Sequence, residues 1–410
     1  MDTKKYAALA VVAATLCGFA EGGREIELGE RIPGIFAKAA EHYKALDAAA
    51  TPLMKDGKGR CLSPHGYNRA IGKPAMTPAL GWTAGHYPGA LWLLFEATGD
   101  VFFKDRALVW TENLALNSKV TDNHDVGFIV YCSFGNARRL LKTSKYDELL
   151  RETAESLSKR YNPNLGLVRS WGPIEEKNNF LVIPDNMMNL ELLEEASKLS
   201  GDFKYASIAR SHANVTMRHH FRPDGGTFHV LDYDQRNGRV QAVRRGQGAS
   251  CETAWSRGQS WAIYGYTMMY RESGDSAYLA MAQKLADYAI NHPDMPSDGI
   301  PLWDYGAAPC EERDSSAGAI MASALVELSG FVKGPKGAAY RAFAAKQLLS
   351  LASPAYFSEG GEIGHFLLKH GVGNKPGDSE IDVPLIYGDY YFLEALVRFR
   401  DLMSQSGQGS

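Results

Sequence analysis

Twelve amphipathic segments, arranged as six pairs, constrain this 410-residue chain more than any other feature of its sequence. Apolar side chains recur at three- and four-residue intervals, the period of a helix with one buried face. The first members of the pairs lie at about 30–48, 102–117, 144–160, 203–220, 276–291 and 336–351. The second members lie at about 87–98, 125–142, 186–200, 254–273, 315–330 and 384–402. Those second segments are richer in apolar, small and aromatic residues, and a helix apolar on most faces belongs inside a fold. Several end alike: "ATGD" at 97–100, "LSGD" at 199–202, "ESGD" at 272–275 and "LSG" at 328–330. A glycine there supplies a left-handed C-terminal cap. The pattern predicts an all-α protein, an α/α toroid of six helical hairpins with the second members as the inner ring. No Pro/Gly-rich linker divides it, so 21–404 reads as one catalytic-size domain, followed by a short flexible tail at 405–410.

The connections are uneven. Turns after the inner helices are short, whereas 50–86, 161–185, 221–253 and 292–314 are long and all lead into inner helices. They therefore arrive at one face of the ring, and long loops on a rigid scaffold are where sites are usually built. Polar residues cluster at those entry points. "NHDVGF" at 123–128 brings His124 and Asp125, and "IPDNMMN" brings Asp185. "DGGTFHV" reads as a turn and short strand carrying His229. "QGASCETAWSRGQSWAIYG" brings Gln247, Trp255, Arg257 and Trp261, and "RDSSAG" brings Asp314.

Each has a purely structural reading. Asp125, Asp185 and Asp314 could cap helices, Arg257 could pair with a neighbouring carboxylate, and the Met pairs at 187–188 and 268–269 suit a core. Their convergence on one mouth points the other way. Two neighbouring carboxylates can split their pKa values and leave one protonated near neutral pH, which is how a glycosidase obtains a general acid.

Composition narrows the partners. A net charge of −3 gives no electrostatic footprint for nucleic acid. The 7 Trp and 20 Tyr suit a sugar-binding cleft, and equally a large core. Cys17, Cys61, Cys132, Cys251 and Cys310 form no CxxC pair, so free thiols are expected, and neither a metal site nor a cofactor. Lys4 and Lys5, the apolar stretch 6–19 and the small residues Gly18 and Ala20 read as an export signal over 1–20, pointing to a periplasmic protein. Cys17 raises a lipoprotein anchor, although Leu16 fits that motif poorly. No other segment is suited to membrane insertion.

Taken together, "GWTAGHYPGALW", "HDVGF", "DNMMNLELL", "GGTFHV", "AWSRGQSWAIYG", "DGIPLWDY", "RDSSAGAI" and "IYGDYYFLEAL" resemble, in order and spacing, the unsaturated glucuronyl hydrolases of glycoside hydrolase family 88. Two departures are Pro184, where an aliphatic residue is expected, and His86, which replaces an aromatic. The resemblance implies a six-hairpin α/α barrel and an unsaturated oligosaccharide substrate, the product of a polysaccharide lyase. It implies hydration of the carbon 4–carbon 5 double bond of the terminal uronic acid. Asp185 would be the acid and water-activating base, and Asp125 would hold sugar hydroxyls and tune it. His124, His229, Gln247, Arg257, Trp82, Trp255 and Trp261 would line the pocket, with Arg257 facing the uronate carboxylate. The loop "KHGVGNKPGDSE" at 369–380 would border the next sugar, where Lys369, His370 and Lys375 either receive a sulfate or belong to a solvated surface. Rival readings are an unsaturated rhamnogalacturonyl hydrolase of family 105, an epimerase or lyase working through His229 and Tyr233, and a sugar-binding protein without catalysis.

Overall fold

A computed structural model of the chain describes residues 3–406, with side chains from 23 to 405. The expected leader at 1–20 lies outside the residues whose side chains are described, as does most of the expected tail. All twelve helical segments are present. The outer helices are α1 (Thr3–Ala50), α3 (Val101–Glu112), α6 (Asp147–Ser158), α8 (Lys204–His219), α10 (Ser276–Asn291) and α12 (Gly334–Leu351). The inner ones are α2 (His86–Thr98), α4 (Val126–Val130) continued by α5 (Asn136–Leu141), α7 (Asn186–Ser200), α9 (Ser256–Ser273), α11 (Ser315–Phe331) and α13 (Ile386–Ser406). Inner helices pack in the order α2, α4–α5, α7, α9, α11, α13 and back to α2, closing the ring. Gly99, Gly201 and Gly274 cap α2, α7 and α9 in the left-handed conformation, with φ of 70–71°. The fourth expected cap differs: α11 continues through Gly330 to Phe331 and ends on an extended Val332.

Two other boundaries depart from the sequence pattern. α1 begins well before residue 30 and carries Pro33 in its interior. The second inner helix is interrupted by a π-helical turn over Tyr131–Gly135. There the Ser133 hydroxyl donates to the Ile129 carbonyl at 2.5 Å, competing for an acceptor of the regular helical ladder. Among the described residues, strands occur only in the connections. Two short pairs join Tyr161–Asn162 to Leu167–Val168 and Ala254–Trp255 to Asp304–Tyr305, and the other strands make three sheets. They form a hairpin from Leu62–Asn68 and Lys73–Pro78, and a three-stranded sheet from Leu181–Val182, Val230–Tyr233 and Val240–Arg244. A second hairpin comes from Gly371–Asn374 and Ser379–Val383.

The axis of the ring is filled, not hollow. Phe128, Trp261, Tyr264 and Tyr391 are all buried and meet ring to ring, Phe128–Trp261 at 5.1 Å and Trp261–Tyr391 at 5.2 Å between centroids. Beyond this aromatic layer, away from the helix N-termini, ion pairs link one inner helix to the next. Arg139 of α5 pairs with Glu96 of α2, and Arg138 with Glu195 of α7. Arg271 of α9 reaches Glu191 of α7 and Glu327 of α11, and Arg398 of α13 reaches Glu327 at 3.0 Å. This belt surrounds a polar cavity at the far end of the barrel.

Candidate active site

The mouth is organised by the first turns of α4 and α7. These helices touch closely: a Cβ on Gly127 would lie 2.5 Å from the Asn189 side-chain oxygen and 2.6 Å from its Cα. That approach brings the residue preceding each helix, Asp125 and Asp185, to one place. Both occupy the N-cap position, yet neither side chain accepts a capping hydrogen bond. Asp314, at the start of α11, is a true cap and accepts from the Ser316 and Ala317 amides. The capping interpretation therefore holds for one aspartate and fails for the pair. Asp185 Oδ1 is buried without a protein partner, an arrangement that costs free energy unless something else occupies the mouth.

The surroundings keep these carboxyls protonated to unusually high pH. Burial pushes Asp185 up to about 7, the charge of Asp125 adds to the effect, and Arg257 opposes it. Burial likewise raises Asp125 to about 7, against an Asn189 hydrogen bond and the charge of Arg160. A chain of hydrogen bonds fixes the group beside Asp125. Asn186 Nδ2 donates to the Val168 carbonyl at 2.7 Å, so its oxygen faces His124 and accepts from Nδ1 at 2.5 Å. His124 therefore turns a bare Nε2 lone pair toward Asp125 Oδ2, 3.4 Å away. Burial lowers the His124 pKa to about 3, which keeps the ring neutral. A neutral lone pair facing a carboxyl favours its protonated form.

Asn189 ties the pair together. Its oxygen accepts from the Phe128 amide at 2.9 Å, which aims its Nδ2 at Asp125 Oδ1, 3.4 Å away, and at the Asp185 carbonyl, 3.5 Å away.

His229 completes one wall. Its Nδ1 accepts from the Gln247 amide at 2.8 Å, so the hydrogen resides on Nε2, which is buried with no protein acceptor. The ring stacks on Trp255 at 4.3 Å, and Trp171 meets its edge at 6.0 Å. Trp82, partly exposed, packs against Tyr387 at 4.8 Å. His86 is fully buried among Trp82, Phe128, Tyr387, Tyr390 and Tyr391, so it fills an aromatic position as a neutral ring.

Five expected ligand-facing residues bond protein groups in this structure. Arg257 is buried, pairs with Asp314 at 3.0 Å, and donates to the carbonyls of Val372 and Gly373, the latter at 2.6 Å. Its guanidinium braces the 371–383 hairpin, because a buried cation must find anionic or carbonyl partners. Gln247 Nε2 donates to the same Gly373 carbonyl at 2.9 Å. Lys375 is paired with Glu312, Lys369 lies 3.5 Å from Glu362, and His370 contacts Asp382 at 2.5 Å, so none of the three presents an unpaired charge for a sulfate. Trp261 belongs to the aromatic layer beneath the mouth and is fully buried.

The sequence reading assigned no role to Asn186, Asn189 or Trp171. A helical-period signal was available for the asparagines: polar residues at the first turn of an otherwise buried helix. Trp171, 39% exposed in a Gly/Pro turn, is the kind of aromatic that a loop leaves at a surface for a reason.

A closed ring of paired helices, with two pKa-shifted carboxyls and aromatic walls at one mouth, has the layout of a saccharide-processing enzyme. No family model matches the chain. An unsaturated glucuronyl hydrolase of Formosa agariphila is 44% identical over 366 residues, 88% of this chain and 91% of that protein. An unsaturated chondroitin disaccharide hydrolase of Streptococcus pyogenes is 33% identical over 328 residues, 78% of this chain and 81% of that one. A crystal structure of an unsaturated glucuronyl hydrolase specific for heparin superposes with a TM-score of 0.84 at 39% identity, covering 90% of this chain and 98% of the other. The chain belongs to the unsaturated glucuronyl hydrolases.

Proposed function

We propose that the enzyme hydrates the carbon 4–carbon 5 double bond of the terminal unsaturated uronic acid on lyase-generated, glycosaminoglycan-type oligosaccharides. The observation that carries this is the Asp125–Asp185 pair, neither member a cap and both held protonated toward pH 7. Asp185 gives its proton to carbon 4, and positive charge develops at carbon 5 beside the ring oxygen. The resulting carboxylate takes a proton from water, which adds at carbon 5. The hemiketal opens and the saccharide leaves with its own bridging oxygen. Asp125 accepts sugar hydroxyls and, when ionised, raises the pKa of Asp185. The His229 Nε2–H supplies a hydrogen-bond donor to the sugar, and Trp82, Trp255 and Trp171 supply apolar faces.

The lyase or epimerase reading needs Tyr233 as an acid or base. Burial pushes its phenol well above the ordinary range, and it sits in a separate small core with Leu231 and Val182. Chemistry at the carboxyl pair is the better-supported course.

Loss of enoate ultraviolet absorbance on a panel of unsaturated disaccharides tests the activity. In deuterium oxide, early product should carry deuterium at carbon 4. Product with no deuterium there would refute protonation of the double bond. We also read 1–20 as an export signal, supported by Lys4, Lys5 and the apolar stretch after them. N-terminal sequencing of cellular protein checks it, and an intact Met1 would reject it.

A further inference from the structure

Two segments meet beside Arg257 and Gln247: the loop leading to α11, and the hairpin Gly371–Asn374 with Ser379–Val383, whose Val372 and Gly373 carbonyls those two residues bond. Their contact is chemical as well as steric. Cys310 Sγ of the loop lies 3.1 Å from Lys375 Nζ of the hairpin. Glu312 spans the two, one oxygen on the thiol and the other on the ammonium. Trp303 Nε1 contacts the same sulfur at 3.4 Å, and its ring lies 5.6 Å beneath Lys375 Nζ. Both reactive atoms belong to partly exposed residues. No role in the hydration reaction uses the thiol.

We propose that Cys310 and Lys375 form a covalent sulfur–oxygen–nitrogen bridge on oxidation, and that this is a modification site of the enzyme. A gap of 3.1 Å between sulfur and nitrogen admits a single bridging oxygen with little movement of either chain. The step balances with dioxygen or a peroxide as oxidant. The ammonium first releases one proton to solvent. Sulfur and nitrogen then each give up two electrons. With dioxygen, one oxygen atom becomes the bridge. The other leaves as water with the thiol proton and one amine proton. With hydrogen peroxide, two molecules accept the four electrons and three waters are released. Thiol reductants reverse the reaction, returning the cysteine, the amine and water. Reversible capping of this kind sits on the lower rungs of cysteine oxidation, before sulfinic acid.

The bridge would staple the loop to the hairpin that Arg257 and Gln247 also hold, and it would remove the Lys375 ammonium. The two segments would be stiffer and less positive, without any change in the carboxyl pair.

The bridge itself does not depend on which saccharide is the substrate, so its test is chemical. Full-length enzyme is treated with hydrogen peroxide, digested with trypsin without reductant, and examined by mass spectrometry. Residues 285–313 hold Cys310 as their sole cysteine, and 370–398 hold Lys375 as their sole lysine. The expected product is these two peptides joined, about 14 Da heavier than their sum, and about 2 Da heavier again with oxygen-18 peroxide. Dithiothreitol should restore the separate peptides. Cys310→Ser and Lys375→Arg should each abolish the joined species; arginine keeps the charge, but its delocalised nitrogens do not react in this way. Recovery of 370–398 unmodified would overturn the proposal, whether Cys310 is found as a thiol, a sulfinic acid or a disulfide with Cys251.

Discussion

Asp185 precedes a helix whose first amides its carboxyl does not bond, and that separation of position from role makes it testable. Asp185→Asn should lower kcat by about 10²–10⁴ or more, since an amide cannot deliver the proton. The absorbance assay measures this, and wild-type turnover would sink the assignment. The same substitution should stabilise the fold, with a defined pH dependence. The folded-state pKa is raised, to about 7, above the ordinary aspartate value, so the wild type loses stability as pH climbs from about 4 through 7 while the buried group is forced to ionise. The amide never ionises. The variant's melting temperature should exceed that of the wild type by more at pH 8 than at pH 5, and a constant difference would mean that the carboxyl is not held neutral. Activity should follow the same group: kcat/KM should fall above about pH 7 as the acid loses its proton. A flat profile from pH 6 to 9 would contradict it. The aspartates were legible in the sequence as helix-start residues on the loop-rich face. Their freedom from capping was not, because it depends on the local φ and ψ. For Arg257 the sequence offered pairing with a carboxylate but not which one: its partners here, Asp314 and the 372–373 carbonyls, lie 57 to 116 residues away in sequence.

The distance between the two carboxyls is set by how closely α4 and α7 pack. Gly127 permits that approach, and Asn189 exploits it by bonding to both helix starts. Gly127→Ala should force the helices apart, costing about 1–3 kcal/mol of stability. It should also lower kcat at least tenfold, because the carboxyls would no longer share one environment. Urea denaturation alongside kinetics separates the two effects, and an unchanged kcat would show that the spacing is not critical. Asp314→Ala removes both a cap and the partner of a fully buried arginine, and should cost about 3–5 kcal/mol. Twelve helices could be read from apolar periodicity because burial of one face leaves its trace locally. The π turn at Tyr131–Gly135 left no such trace, since one extra residue barely disturbs the apolar count. The asparagine bridges arise only once two distant helices are side by side.

At the scale of the whole ring, the mouth and the far end are built on different principles. The mouth carries unsatisfied polar groups, whereas the far end pairs its charges from helix to helix. Arg271 is the hub, reaching Glu191, Glu272 and Glu327. Arg271→Met should leave those carboxylates without their cation and cost roughly 3 kcal/mol, while the folded variant keeps the wild-type pH–rate profile. A shifted profile would mean that the belt also acts on the catalytic carboxyls. No sequence pattern announced this belt, because its residues are ordinary helix-forming Glu and Arg until the ring closes. Its consequence, together with the aromatic layer above it, is topological. The barrel is a blind socket. A polysaccharide cannot be threaded through it, so only a chain terminus can enter. After each reaction the shortened chain has to back out by the way it came before another end can enter. The enzyme therefore removes one residue per visit and leaves a saturated end that it cannot process again, so its rate on a long chain should track the number of unsaturated ends, not the mass of polymer supplied.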